Sequence, residues 1–316
     1  MRVAIFAVPF ALVGLVVALM RRVVVTVALS EHGGVVEIAR HTRRWRLVGL
    51  LLGGVAAVLL LQGGQQVDAL GRVTALAPTA LGAGILIGTI IGELTARPKV
   101  GIRRSATVET RTLRAVLPRG RAITLAMSST LLAGALAVGA AWGSADDLGR
   151  AGRSFTQTCT VIDPDLGSVL MGSSRGPWPG SFYVVPITVA LVVLTGLVAL
   201  ALRAIVTRPR PGLDSHALDT MLRRWSVGNV LTAATVTVLG TLGPLAVFMA
   251  SAIFGGSCPN SAVETVVAGV ALVIGPVAAG AAFALLASLV LTPSIRVDDL
   301  PPSRSGAAAA LGAPLP

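Results

Sequence analysis

The sequence predicts an all-α, polytopic membrane protein of about seven transmembrane helices, with the N-terminus outside and the C-terminus inside. Three observations carry this. Of 316 residues, 54% are hydrophobic and only 13% charged, about half the ~25% charged residues of an ordinary soluble domain. Seven apolar stretches approach or exceed the ~20 residues that cross a ~30 Å hydrocarbon core. The basic residues then alternate strictly from one connection to the next, as the positive-inside bias requires. This composition excludes a disulfide-rich secreted mini-domain, a disordered chain and a cytosolic enzyme. The net charge of +12 is a record of sidedness and not a nucleic-acid footprint, so no nucleic-acid partner is expected.

The expected spans cover 3–20, 47–62, 73–94, 122–142, 184–206, 227–254 and 264–291, in one membrane domain over 1–295. The first is read as a retained helix. It lacks a small-x-small cleavage site, and Arg21 and Arg22 follow it directly and resist translocation; a cleaved signal peptide is the alternative. The second, 47–62, is short and calls for local bilayer thinning or flanking anchors. Segment 35–46, with Val35, Val36, Ile38 and Ala39 among arginines, reads as a cationic helix lying in the interface. Connections 21–46, 97–121 and 203–225 and the tail hold all the basic residues except Arg2, Arg72, Arg150, Arg153 and Arg175. Trp45, Trp142, Trp178, Tyr183 and Trp225 fall at span boundaries, where amphipathic rings prefer to sit, and are read as interface anchors. Residues 296–316 read as a disordered cytoplasmic tail.

Connection 143–183 is the most distinctive polar segment, partly structured and predicted outside. Ser144 is placed to cap a short helix with Asp146 and Asp147 in its first turn. Asp163-Pro164-Asp165 forms a turn, and Pro177-Trp178-Pro179-Gly180 a rigid entry into the fifth span. Cys159 in this connection and Cys258 in 255–263 are the chain's two cysteines, both on the predicted outer face. A Cys159–Cys258 disulfide is the preferred reading in an oxidising exterior, with free buried thiols as the alternative.

Glycines recur every fourth residue at Gly84, Gly88 and Gly92, echoed by Gly49 and Gly53. Such ladders let helices approach closely, either inside the protomer or across a homodimer seam. Glu93 is one turn from Arg97, an i,i+4 ion pair at the interface; with Arg203 the two also form a candidate inner gate. Glu264 opens the last span as a helix-dipole partner. Strings Arg97-Pro98-Lys99 and Arg208-Pro209-Arg210, and Arg43-Arg44-Trp45 and Arg223-Arg224-Trp225, echo one another. They read either as an internal repeat or as convergence on the same interfacial solution. Gly172-Ser173-Ser174-Arg175-Gly176 matches the nucleophile-elbow pattern, but His32, His41 and His216 are all predicted on the opposite side. No catalytic residues, no cofactor and no metal site are expected.

Gly92-Glu93-Leu94-Thr95-Ala96-Arg97-Pro98, Leu117-Pro118-Arg119-Gly120, Gly143-Ser144-Ala145-Asp146-Asp147-Leu148-Gly149-Arg150 and Gly176-Pro177-Trp178-Pro179-Gly180-Ser181-Phe182-Tyr183 resemble a group of actinobacterial integral membrane proteins often encoded beside GntR-type regulators. The resemblance implies a bacterial plasma membrane and transfers no activity and no site residue. The expected function is a non-enzymatic accessory or scaffold component of an envelope or transport complex. It would contact the lipid bilayer and another membrane protein. The alternative is a small permease for an uncharged or amphipathic solute.

Overall fold

Among the described residues the long apolar stretches form helices. The computed structural model describes residues 26–66, 70–96, 113–163, 165, 167–208, 216–291 and 296–298. Within them lie helices α1 (Leu29–Gln66), α2 (Ala77–Thr95), the single turn α3 (Leu113–Val116), α4 (Arg119–Trp142), α5 (Ser181–Thr207), α6 (His216–Phe254) and α7 (Ala262–Leu291). Four strands complete the list: β1 (Thr26–Ala28), β2 (Phe155–Asp163), β3 (Gly167–Arg175) and β4 (Arg296–Asp298). All the helices except α3 are long and apolar enough to cross a membrane, and the six cover the six expected spans from 47–62 onward. The expected span 3–20 lies outside the described residues. The protein is an α-helical membrane protein, as expected, and a β-hairpin and a short strand pair accompany its helices.

Helix α6 is the centre of the bundle. Most of its apolar stretch is buried, whereas α1, α4 and α5 bury only a small part of theirs and turn the rest outward. In a bilayer apolar faces suit the lipid, so α6 is enclosed because α2, α4, α5 and α7 all pack on it and not because it is the most apolar helix. Its hydroxyls do not spoil this: Thr232, Thr235, Thr237 and Thr241 are buried, and each donates to the carbonyl four residues earlier at 2.8–3.1 Å. Around α6 the core forms two layers. One, near the β2–β3 end, contains Leu132, Trp178, Ile187, Leu242, Leu245 and Ile253. The other, near the arginine-rich end, contains Ile85, Leu86, Leu194, Ile205, Val227 and Val230.

Segment 35–46 is helical, but it is not a separate interfacial helix. It continues without a break into the second expected span as the 38-residue α1. At 1.5 Å per residue α1 is ~57 Å long, nearly twice a ~30 Å hydrocarbon core, so the shortness of 47–62 needs no bilayer thinning. The 39-residue α6 is extended in the same way. These extensions pack together through Ile38, Ala39, Ala96 and Leu222, and the Arg46 guanidinium lies 4.7 Å from the centroid of the Trp225 ring. Strand β1, before α1, pairs in parallel with β4, after α7. The first residues of the expected disordered tail are therefore part of the fold, and 299–316 lie outside the described residues.

The glycine ladder acts within the protomer. The α1 and α2 backbones touch. A Cβ added at Gly84 would meet both the Gly49 carbonyl oxygen and the Gly53 Cα at 2.5 Å, and one at Gly88 would meet the Gly49 Cα at 2.9 Å. Gly92 faces Thr42 and Trp45 on the same helix. A second small-residue seam joins α6 and α7, where Gly243 faces Ala279 and Gly275. We expect Gly84→Ala to destabilise the protein by about 1–3 kcal/mol, as overpacking against backbone does. Gly134→Ala, where a Cβ meets nothing within 4 Å, is the control. Thermal unfolding in detergent checks both, and equal midpoints would contradict the glycine seam.

Candidate functional site

Three places hold what is chemically distinctive, and the first is a buried ionic clasp at the arginine-rich end. Arg208, the residue after α5, has a side chain that is 0% exposed. Its guanidinium donates to Glu93 Oε2 on α2 at 2.9 Å and to Asp219 Oδ1 on α6 at 3.2 Å. Arg223, one turn after Asp219, donates its Nε to Asp219 Oδ2 at 2.8 Å. Its remaining donors reach the carbonyls of Ile205, Val206 and Arg208 at 2.6–2.8 Å. Arg223 thus closes the C-terminal end of α5, where free carbonyls and the dipole favour a cation. The two carboxylates and two guanidiniums pair with one another, and the buried Arg46 guanidinium adds a third cation within electrostatic reach of Glu93.

The expected gate trio is not assembled as such. Glu93 is buried and is engaged by Arg208; Arg203 is exposed on α5; and the Glu93–Arg97 contact lies outside the described residues. Sequence reading missed Arg208, Asp219 and Arg223 as a set. The i,i+4 spacing of Asp219 and Arg223 was the visible signal, but nothing local announces Glu93 as the fourth member.

The second place is connection 143–183. The expected helix after Ser144 does not form. Instead Ser144 pairs with Ser154 as a β-bridge, and its hydroxyl donates to the Ser154 carbonyl at 2.8 Å. Asp146 accepts from the Leu148 and Arg150 backbone N–H groups and from the Arg150 and Arg153 side chains at 2.8–3.1 Å. Desolvation alone would raise its pKa. The hydrogen bonds from Arg153, Arg150 and Leu148 outweigh it and hold the carboxyl well below the usual carboxylate range.

An antiparallel hairpin of β2 and β3 follows, with Phe155 opposite Arg175 and Asp163 opposite Gly167; the expected turn at 163–165 falls at its tip. One face, with Phe155, Gln157 and Ser173, packs inward on the helices. The other presents Thr156, Thr158, Thr160 and Ser174, together with Ile162 and Leu170, which are 83% and 74% exposed. Cys159 is joined to Cys258 in a disulfide that ties β2 to the connection between α6 and α7. Gln157 donates to Asn260 at 2.8 Å and Ser257 N donates to Ser173 at 3.1 Å, reinforcing the tie. Ser261 and Glu264 then form a reciprocal capping box at the start of α7. The nucleophile-elbow pattern at 172–176 lies on β3 and not on a strand–helix turn. His41 contacts Thr95 Oγ1 at 2.8 Å at the other end of the bundle. Among the described residues no group of three His, Cys, Asp or Glu is placed to hold a metal ion.

Of the expected interface anchors, Trp142, Trp178 and Tyr183 lie at helix ends and Trp45 and Trp225 well inside α1 and α6, and Trp178 is no surface anchor. It is fully buried. Its indole N–H donates to the Gly139 carbonyl at 2.8 Å, and its ring stacks on Phe155 with centroids 4.8 Å apart. Trp142, partly buried, stacks behind at 6.5 Å. Tyr183 is buried and donates its hydroxyl to the Leu70 carbonyl at 2.8 Å. Trp45 and Trp225 are partly buried, against α2 and under Arg46.

The third place is a cavity of about 640 Å³, within the size range of small-ligand pockets. Leu61 of α1, Pro78 of α2, Ile187 of α5, Leu245 and Phe248 of α6, and Phe283 of α7 line it, with Trp178 and Tyr183 at the hairpin end. Its walls are almost entirely apolar.

Replacing Arg208 leaves Glu93 and Asp219 buried without their shared cation. Arg208→Met is expected to lower stability by about 3–5 kcal/mol, and Arg208→Lys cannot restore it fully because one ammonium does not bridge two carboxylates bidentately. In a double-mutant cycle, Asp219→Asn should cost markedly less in the Arg208→Met background than alone. Additive losses in thermal unfolding would show that the clasp is not a unit. No protein-family model, no curated protein and no solved structure matches the chain.

Proposed function

We propose that the protein is a non-enzymatic, multi-pass component of a bacterial plasma membrane, acting as an accessory or scaffold subunit of an envelope or transport complex. The observation that carries this reading is the disulfide-tied hairpin. It is a rigid platform held on the helical body by a covalent bond, and it presents a Thr/Ser face studded with Ile162 and Leu170. Among the described residues each strand has only the other as a strand partner, so a partner's strand can add at the sheet edge. The ionic clasp supports the same reading, because it spends the charges of α2 and α6 on joining helices. The resemblance to actinobacterial membrane proteins favours that class of envelope.

The orientation that goes with this places the hairpin outside and the clasp inside. The support is the charge asymmetry: Arg40, Arg43, Arg44, Arg46, Arg119, Arg121, Arg203, Arg208, Arg223 and Arg224 gather at the clasp end, while Arg72, Arg150, Arg153 and Arg175 are at the hairpin end. A permease for an uncharged or amphipathic solute is the second reading, and the apolar cavity is the observation that favours it.

Affinity purification in mild detergent tests the first reading. A membrane protein should co-purify with the wild type and be lost with Ile162→Asp/Leu170→Asp, whereas recovery of the chain alone would overturn it. Solute uptake by the protein alone in liposomes would instead favour the permease. Orientation is checked by Ser215→Cys in a Cys159→Ser/Cys258→Ser background. An impermeant maleimide added to intact cells should leave it unlabelled, and labelling would reverse the assignment.

A further inference from the structure

The cavity is open on one flank. Leu61, Phe248 and Phe283 line it and are also 46%, 47% and 58% exposed on helices that cross the membrane. Its floor, formed by Ile187, Leu245 and Trp178, is buried. The flank lies between α1 and the α6–α7 pair. At the arginine-rich end these helices meet, the Arg43 guanidinium donating to the Val290 carbonyl at 3.4 Å. Toward the hairpin end they leave the opening. What surrounds such an opening is hydrocarbon, so the molecules that reach it carry hydrocarbon chains.

The hairpin end of the cavity has a different character. Leu70 and Gly71 form part of its wall, and the next residue is Arg72, exposed at the rim. The Arg72 guanidinium lies 5.3 Å from the centroid of the Phe182 ring. No carboxylate pairs with it among the described residues, whereas Arg150 and Arg153 on the same side are both bound to Asp146. A guanidinium beside an apolar slot fits an anionic head on a long apolar tail.

We propose that this cavity binds an acyl chain of an anionic phospholipid, which enters sideways from the bilayer with its phosphate at Arg72. The cavity supplies the apolar contact and Arg72 the selection for charge. This site stands whether the protein scaffolds a complex or moves a solute, since a bound lipid serves either.

Trp178 is the internal reporter, because it borders the cavity and is otherwise shielded from the bilayer. Trp45, Trp142 and Trp225 are replaced by Phe, with retained fold verified by thermal unfolding. The protein is then reconstituted in phosphatidylcholine vesicles containing a minor fraction of phosphatidylglycerol with brominated chains. Trp178 fluorescence should be quenched, and about fivefold less brominated phosphatidylglycerol than brominated phosphatidylcholine should be needed. That ratio corresponds to ~1 kcal/mol for one basic group at an anionic surface. Arg72→Ala should bring the two lipids to parity and Arg72→Lys should restore most of the preference.

Gly240→Leu fills the cavity from α6, where a Cβ meets only Pro78 at 3.4 Å, and should abolish quenching. Ala57→Phe, on the partly exposed α1 wall, is the second filling variant should the first not fold. Absence of quenching, quenching that persists in a folded filling variant, or parity between the lipids in the wild type would overturn the proposal. Quenching by brominated free fatty acid but not by phosphatidylglycerol would overturn the phospholipid assignment.

Discussion

One guanidinium holds the clasp end of this molecule together. Arg208 sits at the point where α5 has ended and α6 has yet to begin, and it binds a carboxylate from α2 and another from α6. A fully buried charge is tolerated only with partners of this quality, so the position of each helix is set by the demand of one side chain. Arg223 extends the arrangement by closing the last carbonyls of α5. The two cations therefore satisfy both side chains and backbone where the chain leaves the hydrocarbon, and unpaired polar groups there are costly.

Elsewhere attraction between helices has to come from proximity. Lipid is as apolar as a leucine side chain, so helices gain by bringing backbones close and filling the space. The α1–α2 and α6–α7 pairs do so through Gly49, Gly84 and Gly88 and through Gly243 and Gly275. Between these two tight pairs the packing loosens toward the hairpin end, and that is where the apolar cavity lies. Tight seams and the open slot are thus two sides of one arrangement: each pair is rigid, and the space left is at their junction.

How far the sequence led differed from part to part. The six membrane-length helices were legible because hydrocarbon thickness imposes length and apolarity on any span, and the Gly84/Gly88/Gly92 ladder was legible because its period is helical. The Cys159–Cys258 bond followed from both residues being placed at one end. The hairpin was partly visible: Thr156, Thr158 and Thr160 alternate with Gln157 and Cys159 in the strand period. The pull of Ser144, Asp146 and Asp147 toward a helix start hid it, and local contacts of Asp146 to Arg150 and Arg153 decided otherwise. The clasp was hidden for a different reason, since Glu93 has a plausible local partner in Arg97 and only the fold brings Arg208 across 115 residues of sequence. Trp178 was misread because a tryptophan at a span boundary looks the same whether it faces headgroups or fills the gap beneath a hairpin.

The disulfide has a topological consequence. Cys159 and Cys258 are 99 residues apart, and the chain between them contains β3, α5, Arg208 and α6. The bond therefore closes a covalent ring that passes along the full length of α5 and back along α6, with its fastening at one end and the clasp at the other. If the clasp opens, the covalent ring stays closed, so the hairpin end keeps its fastening.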